Sequence, residues 1–163
     1  MHPILPQTQT TALSSPHQWM PHATVAAIVE VAGKFLLVEE VTERGNRYNQ
    51  PAGHLEDNET LITAVIRETL EETAYTFQPE FLLGVYHWKH EHNDSTYLRF
   101  AYIGTVSHHQ PDLALDEGII RAVWMRVDEI RSMANLMRSP QVLTCIEDYI
   151  SGKRFPLSVI THL

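Results

Sequence analysis

The chain has 163 residues, 20 of them acidic and 12 basic, for a net charge of −8 with its ten histidines neutral. That length supports one domain with a sizeable core. The acidic balance argues against a nucleic-acid partner, whose phosphate backbone is held largely by Lys and Arg, but a bound metal can supply positive charge for a small phosphorylated ligand. With a single cysteine, Cys145, no intrachain disulfide can form, and a reduced cytoplasmic setting fits. No apolar run reaches the roughly 18 residues of a membrane helix, so no membrane partner is expected.

Residues 1–21 are rich in Thr, Pro, Gln and Ser and contain no arginine. They lack the basic start and apolar core of a secretory signal and read as a flexible extension, on which His17, Trp19 and Met20 can dock locally on the domain or on a neighbouring subunit. The domain is expected over 22–151, with 152–163 as a tail. Residues 23–31 are β-branched and apolar and read as a buried strand. Ala32-Gly33-Lys34 reads as a tight turn, 35–40 as the returning strand, and 42–47 as a polar loop around Gly45. Residues 48–55, with Pro51 and Gly53, read as a short irregular strand and turn. A helix follows over 59–73, with Asn58 as N-cap and Leu61, Ile62, Val65, Ile66 and Leu70 as its apolar stripe. Strands are expected at 81–88, 97–106 and 119–125, with turns or loops at 89–95 and 107–118. Helices are expected at 127–134 and at 140–150, where Pro140 suits a first turn. Cys145 falls on the last helix and reads as core packing. Separated helices among more numerous strands indicate an α+β sandwich.

The stretch with chemical content lies on the 59–73 helix. Glu68, Glu71 and Glu72 stand at i, i+3 and i+4, which puts their side chains on one face, about 5–6 Å apart. Like charges at that spacing destabilise a bare helix. Either the face is simply solvated, or a cation offsets the repulsion. Oxygen ligands with open positions suit Mg²⁺ or Mn²⁺, and Mg²⁺ commonly bridges carboxylates to substrate phosphates.

Gly53, Glu59, Arg67, Glu68, Glu71 and Glu72 together match, in register, the signature G-x5-E-x7-R-E-U-x-E-E-x-G-U, where U is a bulky aliphatic residue. On these residues the chain resembles the Nudix hydrolases. Thr69 departs from the pattern at an aliphatic position, Ala74 at a glycine, and Tyr75 is aromatic at the last U. A glycine at 74 would end the helix in a left-handed turn, which alanine adopts at a cost of about 1 kcal/mol, so a differently shaped helix end is expected. The resemblance implies an α/β/α sandwich with a mixed central sheet and a signature loop-helix-loop, over about 22–150. Asn49-Gln50-Pro51-Ala52-Gly53-His54-Leu55-Glu56, His87-Trp88 and Leu98-Arg99-Phe100 look like a bacterial subgroup, the NudJ-type phosphatases. That subgroup acts on nucleoside di- and triphosphates and on hydroxymethylpyrimidine pyrophosphate.

The activity so implied is a metal-dependent pyrophosphohydrolase of a small phosphorylated metabolite, in which activated water attacks phosphorus. By resemblance Glu68 and Glu72 are metal ligands, Glu71 ligates or takes the water's proton, and the Ala52 carbonyl is a further ligand. Arg67 orients a carboxylate, and Glu59 orients Arg67 or supports the helix N-terminus. A general base outside the signature is expected on the loop before the last strand, at Glu117 rather than its neighbour Asp116, with Glu91 as an alternative.

Tyr48 can stack on a base or serve as a core aromatic. Asn49, Gln50 and His54 adjoin the metal loop and can meet phosphate or base. His87 is a contact or a structural histidine, and Arg99 reaches phosphate or pairs within the sheet. His87, His90, His92, His108 and His109 lack zinc spacing and read as polar loop residues. Two rivals stay open, an RNA 5′-end pyrophosphohydrolase and a non-catalytic Nudix ligand-sensing module. Assembly is read as monomer or homodimer.

Overall fold

A computed structural model describes residues 19–91 and 93–163. Most of the expected N-terminal extension, including His17, and the loop residue His92 lie outside the described residues. Trp19 and Met20, expected to dock, are exposed. In chain order the elements are β1 (His22–Ile28), β2 (Glu30–Val31), β3 (Lys34–Glu40), β4 (Arg47–Asn49), β5 (Ala52–His54), α1 (Leu61–Thr73), β6 (Thr76–Lys89), β7 (Thr96–Ser107), β8 (Ile119–Arg126), α2 (Val127–Ser132), α3 (Pro140–Ile150) and β9 (Phe155–Pro156). Short 3₁₀ turns follow α2 and β9 at Ala134–Leu136 and Leu157–Val159.

A mixed sheet of order β5-β1-β7-β6-β9 forms the centre, with β1 and β7 parallel and the other pairs antiparallel. A second, antiparallel sheet is organised on β3, which pairs with β2, β4 and β8. Alternation along the strands divides the core in two. Val25, Ala27 and Val29 pack with Leu36, Tyr102 and the α1 residues Ala64 and Val65. Ile28, Phe35, Leu37, Ala101 and Ile103 pack on the opposite side with Ile130 of α2 and Val142, Cys145 and Ile146 of α3. The result is the expected α+β sandwich. Burial pushes the Cys145 thiol up to about 11, as suits a packing cysteine.

Several elements differ from the sequence expectation. The strand expected at 23–31 is two, because the chain passes from one sheet to the other at Val29, whose carbonyl accepts from Leu36 N–H. Strand β6 begins at Thr76 rather than at 81. Pro79 cannot donate to a ladder, and the strand accommodates it through irregular pairing between Pro79 and Phe81 and again between Leu82 and Gly84. Opposite Pro79 stands Gly104, where an added Cβ would lie 2.1 Å from the Gln78 carbonyl oxygen and 2.7 Å from the Phe77 ring.

On α1 the N-cap is Thr60, not Asn58. Thr60 Oγ1 accepts from Thr63 N–H and Thr63 Oγ1 accepts from Thr60 N–H, a reciprocal capping box, while Asn58 takes a left-handed turn conformation before it. The helix does end in the left-handed turn, with Ala74 at φ 58° and its N–H on the Leu70 carbonyl, so the alanine does not reshape the end. The packed stripe also moves. Ala64, Val65, Glu68, Thr69, Glu72 and Thr73 are the buried residues of α1, whereas Leu61, Ile62, Ile66 and Leu70 are half-buried. Two of the carboxylates therefore lie on the packing face, not in a separate sector. Thr69 fits there because its hydroxyl donates to the Val65 carbonyl at 2.7 Å, leaving its methyl to pack.

Gly104→Ala is expected to lower stability by about 1–3 kcal/mol through overpacking against backbone, read as a lower urea midpoint with an unchanged slope.

Candidate active site

The carboxylates of α1 are organised by one guanidinium and one strand edge. Arg67 grips Glu59 with Nε to Oε2 at 3.1 Å and Nη2 to Oε1 at 2.6 Å. Its Nη1 donates to Glu68 Oε1 at 2.8 Å and Glu71 Oε2 at 3.0 Å, and its Nη2 donates to the His54 carbonyl at 3.1 Å. Arg67 thus ties the helix to β5 and orients two carboxylates, while Glu59 accepts from Glu56 N–H and fixes the guanidinium. Glu72 Oε2 accepts the Ala52 N–H at 2.8 Å. Because the N–H and C=O of a strand residue share an edge, the Ala52 carbonyl lies on the edge of β5 that meets α1. Gly53 leaves room for the neighbouring Glu68 carboxyl. A Cβ there would lie 2.1 Å from the Glu68 carboxyl.

A loop completes the cluster. The Asp116 N–H donates to the Glu71 carbonyl at 3.0 Å, and the Asp116 carbonyl accepts from Ile119 N–H, closing a turn through Gly118 at φ 90°. This brings one carboxylate oxygen each of Glu68, Glu71 and Asp116 within 4.8 Å of one another. Asp116, not Glu117, is the loop acid in this group, because the turn tethers Asp116 to the helix; Glu117 is exposed beside it. Glu91, the alternative, lines a hollow of about 680 Å³ beside α3 and is not in the carboxylate group. Burial pushes the Glu68 carboxyl up, with Arg67 opposing and Glu71 and Asp116 adding to the rise. Burial pushes Glu72 up to about 8, opposed by the Ala52 N–H and reinforced by Glu68, Glu40 and Asp116. Hard oxygen donors that repel one another, with Arg67 already divided among Glu59, Glu68 and Glu71, fit a divalent cation such as Mg²⁺.

A cleft of about 750 Å³ adjoins this cluster across β5, where Ala52, Gly53 and His54 form one wall. Of the expected contacts, Asn49, His54 and Arg99 line it. Gln50 does not. It is 1% exposed, donates to the Val142 carbonyl of α3 at 2.8 Å and accepts Arg99 Nη1 at 3.1 Å, so it positions Arg99 instead of meeting a ligand. Tyr48 packs half-buried against the α2–α3 core, its backbone carbonyl holding Arg138 N–H, and is the core aromatic of the two readings. His87 is exposed and alternates with Tyr86 and Trp88, which puts it on the other face of β6 from the cleft residue Trp88.

Arg99 is 7% exposed, with Nη1 on Gln50 and Nη2 on Asn49 at 3.4 Å, and burial lowers its pKa against the opposing pull of Cys145, Glu40 and Glu72. Glu40 is pushed up by burial, with Arg138, Arg99 and Asn49 opposing. Burial and His22 both lower the His54 pKa.

Sequence reasoning missed Glu40, Tyr97, Arg44 and Arg138, all of which line the cleft. They are scattered over two strands and two loops, and no local spacing joins them. Cross-strand pairing does: Tyr97 sits opposite Trp88 on β6 and His22 on β1, with ring centroids 5.5 and 5.1 Å away.

A helix whose buried carboxylates meet a glycine-bearing strand edge, beside a cationic and aromatic cleft, defines a Nudix-type phosphoanhydride hydrolase. The NUDIX domain model matches residues 20–143, and the chain belongs to that family. It is 40% identical over 140 residues to phosphatase NudJ of Escherichia coli K12, covering 86% of this chain and 90% of that protein. A NUDIX hydrolase from Nitrosomonas europaea superposes with a TM-score of 0.86 at 49% identity, covering 88% of this chain and 98% of that one. An ADP-ribose pyrophosphatase from Streptococcus suis, 15% identical, shares the fold with a TM-score of 0.62 over 83% of this chain and 96% of its own.

Gly53→Ala should still fold, since the added methyl meets the end of a flexible side chain, but displacing Glu68 should weaken Mn²⁺ binding about 10–100-fold by calorimetry. In protein stripped of divalent ions, Glu72 keeps its proton up to about pH 8 when folded and loses it in the usual carboxylate range when unfolded. The resulting stabilisation is complete below the unfolded pKa and is lost as pH rises through about 8. The melting midpoint in EDTA should therefore fall between about pH 5 and 9, and Mg²⁺ binding near neutral pH should release protons, read by calorimetry in buffers of different ionisation enthalpy.

Proposed function

We propose that this chain is a Mg²⁺-dependent pyrophosphohydrolase of a small phosphorylated metabolite, with nucleoside di- or triphosphates or a pyrimidine pyrophosphate as substrate. The observation that carries the reading is the carboxylate group of Glu68, Glu71 and Asp116, with a cleft lined by Arg44, Arg99 and Arg138 adjoining it across β5. The similarity to a phosphatase, NudJ, over most of both chains supports it.

In this reading Glu68, Glu71 and Glu72, with the Ala52 carbonyl, hold the ion, which when bound neutralises phosphoryl oxygens and lowers the pKa of water. Arg67 keeps Glu68 and Glu71 aimed. Arg44 and Arg138 of the cleft hold the phosphate chain so that water approaches phosphorus opposite the leaving oxygen. The attacking water gives its proton to a carboxylate at the cluster, the new P–O bond forms, and the bridging P–O bond breaks. Asp116 replaces Glu117 as the loop acid suited to take that proton. The acidic surface continues to disfavour RNA 5′ ends, and retention of all three signature carboxylates disfavours a sensor. A reduced cytoplasmic setting and a monomeric or dimeric state complete the proposal.

The test is phosphate release from nucleoside di- and triphosphates, hydroxymethylpyrimidine pyrophosphate and 5′-triphosphorylated RNA, with and without added pyrophosphatase. Turnover on the small pyrophosphates should vanish in EDTA. Glu72→Gln should lower kcat by orders of magnitude in a folded protein, and Asp116→Asn should lower it about 10²–10⁴-fold while Glu117→Gln changes it little. The reverse ranking would return the base to Glu117, and turnover surviving Glu72→Gln would sink the metal assignment.

A further inference from the structure

Four buried side-chain polar atoms lack a hydrogen-bond partner among the described residues: Thr24 Oγ1, Glu40 Oε1, Arg99 Nε and Ser139 Oγ. All four residues line the same cleft. They come from β1, β3, β7 and the start of α3, so no local turn explains the coincidence. Buried polar groups are nearly always matched, and several unmatched ones converging on one recess mark a partner that arrives from outside. Water can fill the recess until a ligand with the same bonds displaces it.

The backbone around these atoms points the same way. Ser139 occupies the N-cap of α3, where a serine normally accepts a helix N–H, yet its hydroxyl makes no capping bond. Arg99 donates from Nη1 to Gln50 and from Nη2 to Asn49, and Gln50 is anchored on α3, so the guanidinium is held in place with its buried Nε–H unmatched. Glu40 Oε1 has Arg138 Nε at 3.7 Å, an ion pair without a hydrogen bond.

The chemistry of the set selects the ligand group. Arg99 Nε–H only donates, an ionised Glu40 only accepts, and the two hydroxyls do either. An ionised phosphate offers acceptors alone and meets Glu40 as a like charge. The edge of a nitrogen heterocycle offers an N–H donor beside ring-nitrogen or carbonyl acceptors, which matches the set. Trp88 and Tyr97 line the same cleft and stack on each other with centroids 5.5 Å apart and planes 26° from parallel. Aromatic side chains at such a border suit packing against a planar ring.

We propose that Thr24, Glu40, Arg99 and Ser139 form a recess that reads the hydrogen-bonding edge of the substrate's heterocycle, with Trp88 and Tyr97 bordering the ring, so that the ring sets substrate choice. The inference rests on the hydrolase reading for its substrate, but the recess is testable without turnover. Phosphate-free cytidine, uridine and adenosine are titrated in EDTA against wild type, Glu40→Gln and Ser139→Ala, followed by tryptophan fluorescence and calorimetry, with circular dichroism to confirm folding. At least one nucleoside should bind, and each variant should weaken it about tenfold or more. In parallel, kcat/KM is compared between the matching nucleoside triphosphate and methyl triphosphate with Mg²⁺. The preference for the nucleotide should fall about tenfold in both variants, through KM.

No nucleoside binding by wild type, unchanged binding in both folded variants, or equal losses on the two triphosphates would overturn the recess. If nothing is hydrolysed while the variants still lose nucleoside binding, the recess stands and the hydrolase reading falls.

Discussion

The constraint on which the site depends is the burial of acidic side chains on the packing face of a helix. Glu68 and Glu72 occupy positions on α1 that apolar residues would ordinarily fill, and both sit against β5 with less than a tenth of their surface exposed. Burying charge without a partner is costly. Three local features offset that cost: the Ala52 N–H on Glu72, the Arg67 guanidinium shared by Glu59, Glu68 and Glu71, and the missing side chain at Gly53. The raised pKa values of Glu68 and Glu72 show that the compensation is partial. What remains is an affinity for positive charge at one defined place, which is what a divalent-ion site requires.

The sheet turns that local arrangement into a cleft. Alternation along β1, β7 and β6 sends Phe100 and Tyr102 toward α1 and Arg99, Ala101 and Ile103 toward α3. Residues of the second set near the strand ends, where no helix covers them, become the floor of the cleft. Strand β5 borders both regions, with its edge toward the carboxylates of α1 and His54 facing the cleft. In a chain with net charge −8 the cleft still gathers three cations, Arg44, Arg99 and Arg138, beside the acids Glu40 and Glu43.

Stability and function meet at Gln50 and Arg99. Gln50 is completely enclosed, bonded on one side to the Val142 carbonyl and on the other to Arg99. An amide in that position both satisfies a helix carbonyl and fixes the rotamer of a cleft cation. Asn49 contributes a longer second bond from the neighbouring position. Rigid support of this sort is what sets a binding group to within the fraction of an ångström that recognition needs.

Much of the molecule was legible from sequence because its determinants are local. The i, i+3, i+4 spacing of Glu68, Glu71 and Glu72 and the apolar runs of β1, β3 and β7 depend only on helix and strand periodicity. The register of Gly53, Glu59 and Arg67, and the pairing of Glu59 with Arg67, were legible through the resemblance to the Nudix signature. What only the tertiary structure decided involves contacts between distant segments. Whether Asp116 or Glu117 meets the cluster turns on one hydrogen bond to the Glu71 carbonyl. Which face of α1 is buried turns on β5 accepting carboxylates where the hydrophobic pattern alone favoured Leu61, Ile62 and Leu70. The parting of Trp88 from His87 and of Asn49 from Gln50 depends on which neighbours each strand face meets. Glu40, Tyr97 and Ser139 carry no motif at all, and they became neighbours through strand pairing and helix packing, because burial and convergence are properties of the folded chain and not of any sequence window.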